Sequence, residues 1–466
     1  MSVDLRDRVH QLMDSVQSEL AELVGLRSVA DPRQFPEEGC IQAANWVRDR
    51  FVAEGFDDGR LERTPDGSFA VVGSRPGADP EAPTVLLYAH YDVQPPLDDE
   101  AWRTPPFELH EVGGRWYGRG TADCKGNILM HLVALRALGE EVPVNLRLVV
   151  EGSEEQGTGG LEAFVASNPE LFRADAILVC DTGNAAVGKP SVTVSLRGMV
   201  NVVVSVDVLE SEVHSGMFGG PTPDALAALV AMLASLRDAE GNTVIAGLDH
   251  SGSWSGEPYP TEQFRSDAGL LDSVRLIGDG TVSDMLWARP ALTILGIDCP
   301  PVLGSSAALV PRSAARLNLR VPPGVDPVVA RDALAAHLVA AAPWGVHVNV
   351  ETEAIGSPFL AETSGPAYRA MAAAMGEAFR VPMTTLGQGG SIPLCNVFAD
   401  TYSGAEIILM GVEEPQALIH APNESVDPNE IERCALAEAL FLHGYTEHVG
   451  SHSPARLARR QEKRNE

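Results

Sequence analysis

Short apolar runs of strand length recur along the first 180 residues, alternate with stretches of helical spacing, and several of them end on an acidic residue or a histidine. This alternation restricts the fold more than any other feature. The runs at 69–73, 84–88, 145–150 and 176–179 read as strands, and 41–54, 128–138 and 160–167 as helices. Residues 5–26 carry Val9, Leu12, Val16, Leu20, Leu23 and Val24 on one face of a helix. Strands and helices in alternation build an α/β sheet with helices on its faces. A chain of 466 residues, 45% of them hydrophobic, has the material for two or three such cores.

The pattern changes near Ser191. Strands are expected at 192–194, 200–208, 291–297, 316–320 and 346–351, helices at 223–237 and 327–341, and a Gly/Ser/Pro-rich loop at 247–260. This looks like a separate α+β unit. Helical and strand signals then resume and close with a helix at 428–443, followed by a basic tail at 456–464 that is expected to fray. The economical layout is one α/β domain, residues 1–190 and 360–466, interrupted by an inserted α+β domain, residues 191–359.

Composition removes several classes of function. Thirty-four basic against 64 acidic residues give a net charge of −30, which opposes binding to a phosphate backbone, so nucleic acid is not an expected partner. Cys40, Cys124, Cys180, Cys299, Cys395 and Cys434 contain no C-x-x-C pair, which argues against a disulfide scaffold or a zinc finger. The first 20 residues lack the uninterrupted apolar core of a signal peptide, and no window supplies the ~18 apolar residues of a membrane span. A cytoplasmic enzyme is the expectation.

The chemistry sits where strands end. His90 and Asp92, in Tyr88-Ala-His-Tyr-Asp-Val-Gln94, follow an apolar strand, at the end where open α/β sheets place their sites. A histidine with an aspartate two residues on suits a metal ligand and the carboxylate that orients it. Asp123 lies in a glycine-rich loop, Tyr117-Gly-Arg-Gly-Thr-Ala-Asp-Cys-Lys-Gly126, whose spacing matches neither a phosphate loop nor a dinucleotide fingerprint. Glu151, Glu154 and Glu155 cluster after another strand, and like charges held together need a cation or a proton. Asp181 closes a fourth apolar run, and His420 lies in a loop ahead of the last helix. Taken singly, each of these reads equally as a turn, a cap or a solvated loop. Two histidines with at least three carboxylates suit a catalytic zinc or manganese pair better than calcium or a thiolate site. Of the adjacent Glu154 and Glu155, one can ligate while the other takes a proton from water.

With these motifs in order, the chain resembles the co-catalytic two-metal metallopeptidases that include carnosinase-type dipeptidases, aminoacylases, succinyl-diaminopimelate desuccinylases and glutamate carboxypeptidases. The resemblance rests on Tyr91-Asp-Val-Gln94, Gly118-Arg-Gly120 through Asp123, Glu151-Gly-Ser-Glu-Glu155, His214-Ser-Gly216 and Gly389-Gly-Ser-Ile-Pro393, and it reaches to His420-Ala-Pro-Asn-Glu424. It implies a zinc-peptidase-like catalytic domain with a mixed sheet, interrupted by a lid and dimerisation domain. It also implies two divalent metal ions per subunit, Zn2+ foremost, with Mn2+ or Co2+ as alternatives. In that scheme His90 and Asp181 hold one metal, Glu155 and His420 the other, and Asp123 bridges them, with a cis peptide bond typical after such an aspartate. Asp92 orients His90, and Glu154 is the general base. His214 reaches the partner's active site across a homodimer and stabilises the oxyanion. Arg320 grips the substrate's terminal carboxylate, and the backbone of Gly389-Gly390 with the Ser391 hydroxyl lines the same pocket.

The sequence departs from the family in that pocket. Ala307-Ala308 stands where dipeptidases often carry Asn or Thr, and Gly387-Gln388 where relatives often have Arg-Glu. The expected reaction is metal-dependent hydrolysis of the amide bond of small peptides, with the Asp-Val-Gln-Pro and Gly-Gly-Ser-Ile-Pro strings leaning to the dipeptidase branch. An N-acyl-amino-acid deacylase is the alternative among hydrolases. A metal-binding homologue that has lost catalysis is the rival from another class, and the intact Glu154 counts against it.

Overall fold

In the computed structural model, residues 2–140 and 142–449 are described. The basic tail at 456–464 lies outside them. The chain forms two compact units, the first from Met1–Val194, Ala361–Leu386 and Pro393–Glu466, the second from Ser195–Leu360 and Gly387–Ile392. The short return of 387–392 to the second unit breaks the first unit's C-terminal portion in a way that a reading of linear segments does not anticipate.

The first unit is organised by a mixed sheet. Its strands run in the order Arg60–Arg63, Phe69–Arg75, Asn145–Glu151, Thr84–His90, Ala176–Cys180, Glu406–Met410 and Ser191–Leu196. The four in the middle, from Asn145–Glu151 to Glu406–Met410, are parallel to one another, and their neighbours on both sides run antiparallel. Thr84–His90 and Ala176–Cys180 are buried at every position, as parallel strands covered on both faces must be. The helix Lys125–Leu138 is buried along almost all of its length, and it packs against Ser2–Gly25 and Pro428–His448. The sequence reading misses the strand Arg60–Arg63, whose Arg-Leu-Glu-Arg has no apolar run because it lies at the sheet's edge.

The second unit is a four-stranded antiparallel sheet in the order Ala291–Asp298, Arg312–Val321, Gly198–Asp207, His347–Gly356. Val200, Val202, Val204 and Val206 alternate inward, as a half-buried strand requires, and meet Leu229, Met232, Leu334 and Leu338 from two helices. Those helices, Ala225–Ala234 and Pro327–Ala340, are capped by Asp224 and Asp326, whose carboxylates accept the first free backbone N–H groups. The region after the expected loop folds around aromatic contacts. Trp287, in a π-helical turn at Asp284–Ala288, packs against Trp254 and Tyr259 at ring-centroid distances of 5.0 and 6.0 Å.

Close approach explains one glycine beside Glu151 and Ser153. A Cβ on Gly152 would fall 2.0 Å from the Tyr91 hydroxyl oxygen and 2.7 Å from the Phe69 carbonyl oxygen. Overpacking of this kind costs roughly 1–3 kcal/mol. The Gly152→Ala variant is expected to lose stability by about that amount, read as a lower melting temperature in calorimetry, and an unchanged melting temperature would contradict the packing argument.

Candidate active site

The carboxyl ends of the four parallel strands gather the acidic and imidazole groups. Thr84–His90 ends on His90, Asn145–Glu151 leads to Glu154 and Glu155, Ala176–Cys180 to Asp181, and Glu406–Met410 to Glu413. His90 Nε2 lies 2.9 Å from Asp123 Oδ1 and 3.1 Å from Asp181 Oδ1. His420 Nε2 lies 2.9 Å from Asp123 Oδ2 and 3.1 Å from Glu155 Oε2. Asp123 therefore turns one oxygen to each histidine, and the peptide bond after it is cis. Asp123, Glu155 and His420 form one group whose ligand atoms lie within 4.8 Å of one another, and Asp123, Asp181 and Glu413 form another.

The surroundings hold these groups in place. Glu424, buried at 0% exposure, accepts from the backbone N–H groups of Gly120, Ala122 and Asp123 and from Arg119 Nη1 at 2.7 Å. One carboxylate thus fixes the backbone that presents Asp123. His90 Nδ1 lies 3.0 Å from the backbone carbonyl oxygen of Asp92 and 3.5 Å from its Oδ1. The Asp92 carboxylate accepts instead from the N–H groups of Glu154 and Glu155, tying the two motifs together. Asp66 accepts from the hydroxyls of Thr64, Ser153 and Thr158 and anchors the far side of the same loop. His420 sits at φ 63°, a left-handed conformation that a side chain with Cβ adopts at a cost of about 1–3 kcal/mol.

The donor set fits divalent cations. Burial pushes the pKa values of Glu154, Glu155, Asp181 and Glu413 up, and the neighbouring Asp123 or Asp181 carboxylates push Glu154, Glu155 and Glu413 further. Burial acts the same way on Asp123, but hydrogen bonds from His420 and His90 outweigh it and hold this carboxyl below the usual range. Glu155 Oε1 and Glu413 Oε1 are buried and accept no hydrogen bond among the described residues. Cys124, beside His90 and Asp181, donates from Sγ to the Cys180 carbonyl oxygen and is pushed by burial up to about 12, so the set is one of nitrogen and oxygen. Sequence reasoning missed Glu413; its signal was the adjacent pair Glu413-Glu414 just past an apolar strand.

The remaining sequence candidates belong to the second unit. His214 is exposed on a short strand, Val213–His214, and its Nδ1 accepts from Gly216 N–H. Arg320 is half-buried opposite Met199. Gly390 and Ser391 lie in the returning segment 387–392.

Comparison with known proteins defines the class. Residues 86–443 match Peptidase family M20/M25/M40. The chain is 42% identical over 448 residues to a cysteinylglycine-S-conjugate dipeptidase of Corynebacterium striatum, covering 94% of this chain and 96% of that one. It is 30% identical over 400 residues to a Beta-Ala-His dipeptidase of Mus musculus, covering 81% and 80%. The structure of human carnosine dipeptidase 1 superposes with a TM-score of 0.78 at 24% identity over 96% of this chain and 99% of that one. The chain belongs to Peptidase family M20/M25/M40. It is a metal-dependent hydrolase of peptide bonds.

The surrounding carboxylates favour the cationic form of both imidazoles. Burial lowers the pKa of His90, but the charge of Asp181 and the hydrogen bonds to Asp123 and Asp181 raise it well above the usual value. Hydrogen bonds to Asp123 and Glu155 raise His420 to about 11. Metals take neutral imidazole, so binding must expel these protons. Zn2+ affinity is therefore expected to rise with pH across the neutral range, with proton release measurable by calorimetry in buffers of different ionisation enthalpy. Uptake without proton release would contradict this assignment of charge.

Proposed function

We propose that the protein is a two-metal dipeptidase. His90 and Asp181 would hold one divalent cation and Glu155 and His420 the second, with Asp123 offering a carboxylate oxygen to each pair. The observation that carries this reading is the pair of contacts Asp123 makes, one carboxylate oxygen toward each histidine, with Glu154 next to Glu155. Divalent cations there, Zn2+ foremost for the mixed nitrogen and oxygen donors and Mn2+ or Co2+ as further candidates, would supply Lewis acidity toward the scissile carbonyl and the attacking water. Glu154 accepts the proton from that water as the C–O bond forms, then delivers it to the amine as the C–N bond breaks. Its carboxylate makes no hydrogen bond among the described residues, and burial raises its pKa, so it is free to take a proton and strong enough to hold one. Asp92 fixes the backbone of Glu154 and Glu155 and faces His90 with its carbonyl.

Arg320, Gly390, Ser391 and His214 form the proposed substrate-binding set, with Arg320 on the terminal carboxylate and His214 on the oxyanion. The dipeptidase names of the relatives support peptide substrates over N-acyl-amino acids. Replacement of Glu154 by Gln is expected to lower kcat by about 10²- to 10⁴-fold with metal content unchanged. Amine release from dipeptides beside N-acetyl- and N-succinyl-amino acids, with that variant as blank, tests the substrate class. Turnover of the acylated compounds alone would replace the dipeptidase reading by a deacylase.

A cytoplasmic homodimer formed through the second unit completes the proposal. All six cysteines are free, in keeping with a reducing compartment, and no described helix is long and apolar enough to cross a membrane. The edge strand Ala291–Asp298 exposes Ile294, Leu295 and Ile297, and a bare apolar edge favours pairing with a second copy. Leu295→Lys is expected to yield monomer in sedimentation velocity, and a variant still wholly dimeric would exclude this edge.

A further inference from the structure

We propose that Arg197 is a second binding residue for the C-terminal carboxylate of the peptide substrate, acting together with Arg320. This deepens the dipeptidase reading and rests on it.

Arg197 follows the strand Ser191–Leu196 and is only 6% exposed. A guanidinium so buried ordinarily has its donors paired. Here Nε and Nη1 are buried and donate to no acceptor among the described residues. The side chain lines a cavity of about 400 Å³ within the second unit, walled largely by apolar groups such as Phe264, Val282 and Leu292. Two other arginines on that wall are satisfied by the protein. Arg237 donates to the carbonyl oxygens of Gly241 and Leu292, and Arg289 to Gly252 and Asp279. Arg197 therefore stands apart as a buried cation with no acceptor for Nε or Nη1 among the described residues.

Its neighbourhood is that of the proposed carboxylate site. Arg320 pairs in register with Met199, two residues beyond Arg197, and forms no ion pair or hydrogen bond among the described residues. Burial and the Arg320 charge lower the pKa of Arg197 to about 10, which still leaves both side chains cationic near neutrality. Two like charges held together without a counterion are costly unless an anion arrives. Gly389 makes room for one of them, since a Cβ there would fall 2.9 Å from Arg197 Nη2. Ser391 Oγ lies 3.9 Å from where a Cβ on Gly356 would be, and Gly356 also pairs with Met199. Two planar guanidinium groups with a nearby hydroxyl suit a carboxylate, which accepts hydrogen bonds in pairs.

The test compares alanyl-glycine with its C-terminal amide in the metal-loaded wild type, Arg197→Met, Arg197→Lys and Arg320→Met. Loss of one charge-assisted contact is expected to lower kcat/KM for the acid by about 10- to 100-fold, mainly through KM, with the amide changed little. Lysine, a point charge without the fork, is expected to restore only part of the preference for the acid. Calorimetric binding of both peptides to Glu154→Gln protein, with and without Arg197→Met, gives the same comparison without hydrolysis. Equal losses on acid and amide, or an unchanged acid-to-amide ratio in Arg197→Met, would overturn the assignment and leave Arg197 a structural residue. Binding of the acid that depends on Arg197, in a wild type that cleaves no dipeptide, would sink the dipeptidase reading and uphold this one.

Discussion

Like charges gathered at the carboxyl ends of four parallel strands are the constraint on which the first unit depends. Asp123, Glu154, Glu155, Asp181 and Glu413 are drawn together out of water, with the imidazoles of His90 and His420 among them to offset the charge. Burying uncompensated ions costs several kcal/mol each, so an arrangement of this kind persists only if cations or protons neutralise it. The acidic cluster and the metal chemistry are therefore one fact seen from two sides. Glu155 Oε1 and Glu413 Oε1, buried without a donor, are where that demand is most direct.

Holding such groups at ligand distance takes a second layer of residues with no part in the chemistry. Glu424 collects three backbone N–H groups and the Arg119 guanidinium, which makes the Asp123 loop rigid. Asp92 does the same for the backbone of Glu154 and Glu155, and Asp66 ties down the far side of that loop through three hydroxyls. The pKa of Asp66 shows the balance at work. Burial pushes it up, but hydrogen bonds from Thr158, Thr64, Ser153 and the Ser68 N–H prevail and hold it well below the ordinary range. The contribution of that anchor is present above the ordinary aspartate pKa and fades as acid protonates it.

In the second unit the departures from the family pattern have a packing explanation at one position. At Gly387, where the resemblance leads one to expect arginine, a Cβ would fall 2.5 Å from Cγ of the Trp287 indole. The indole occupies the space a longer side chain would need, and it is fixed there by Trp254 and Tyr259. Gln388 likewise keeps a buried Oε1 without a donor. Both positions belong to the second unit, whereas the proposed metal ligands belong to the first.

The sequence by itself determined the periodicities, and with them most of the elements: strands such as Thr84–His90 and helices such as Lys125–Leu138 announce themselves because burial on both faces or on one stripe dictates their spacing. It also determined the residue types at the strand ends, since polar groups closing apolar runs are local facts. The polar edge strand Arg60–Arg63 left no such signal. Only the tertiary structure decided which of those groups meet. Glu413 lies more than two hundred residues from Asp181 along the chain, yet parallel pairing of Glu406–Met410 with Ala176–Cys180 brings their strand ends together. The same holds for Glu424 beneath Asp123 and for Arg197, an ordinary arginine in a linear reading. Whether a charged side chain finds a partner depends on every segment folded around it, and no window of sequence contains that information.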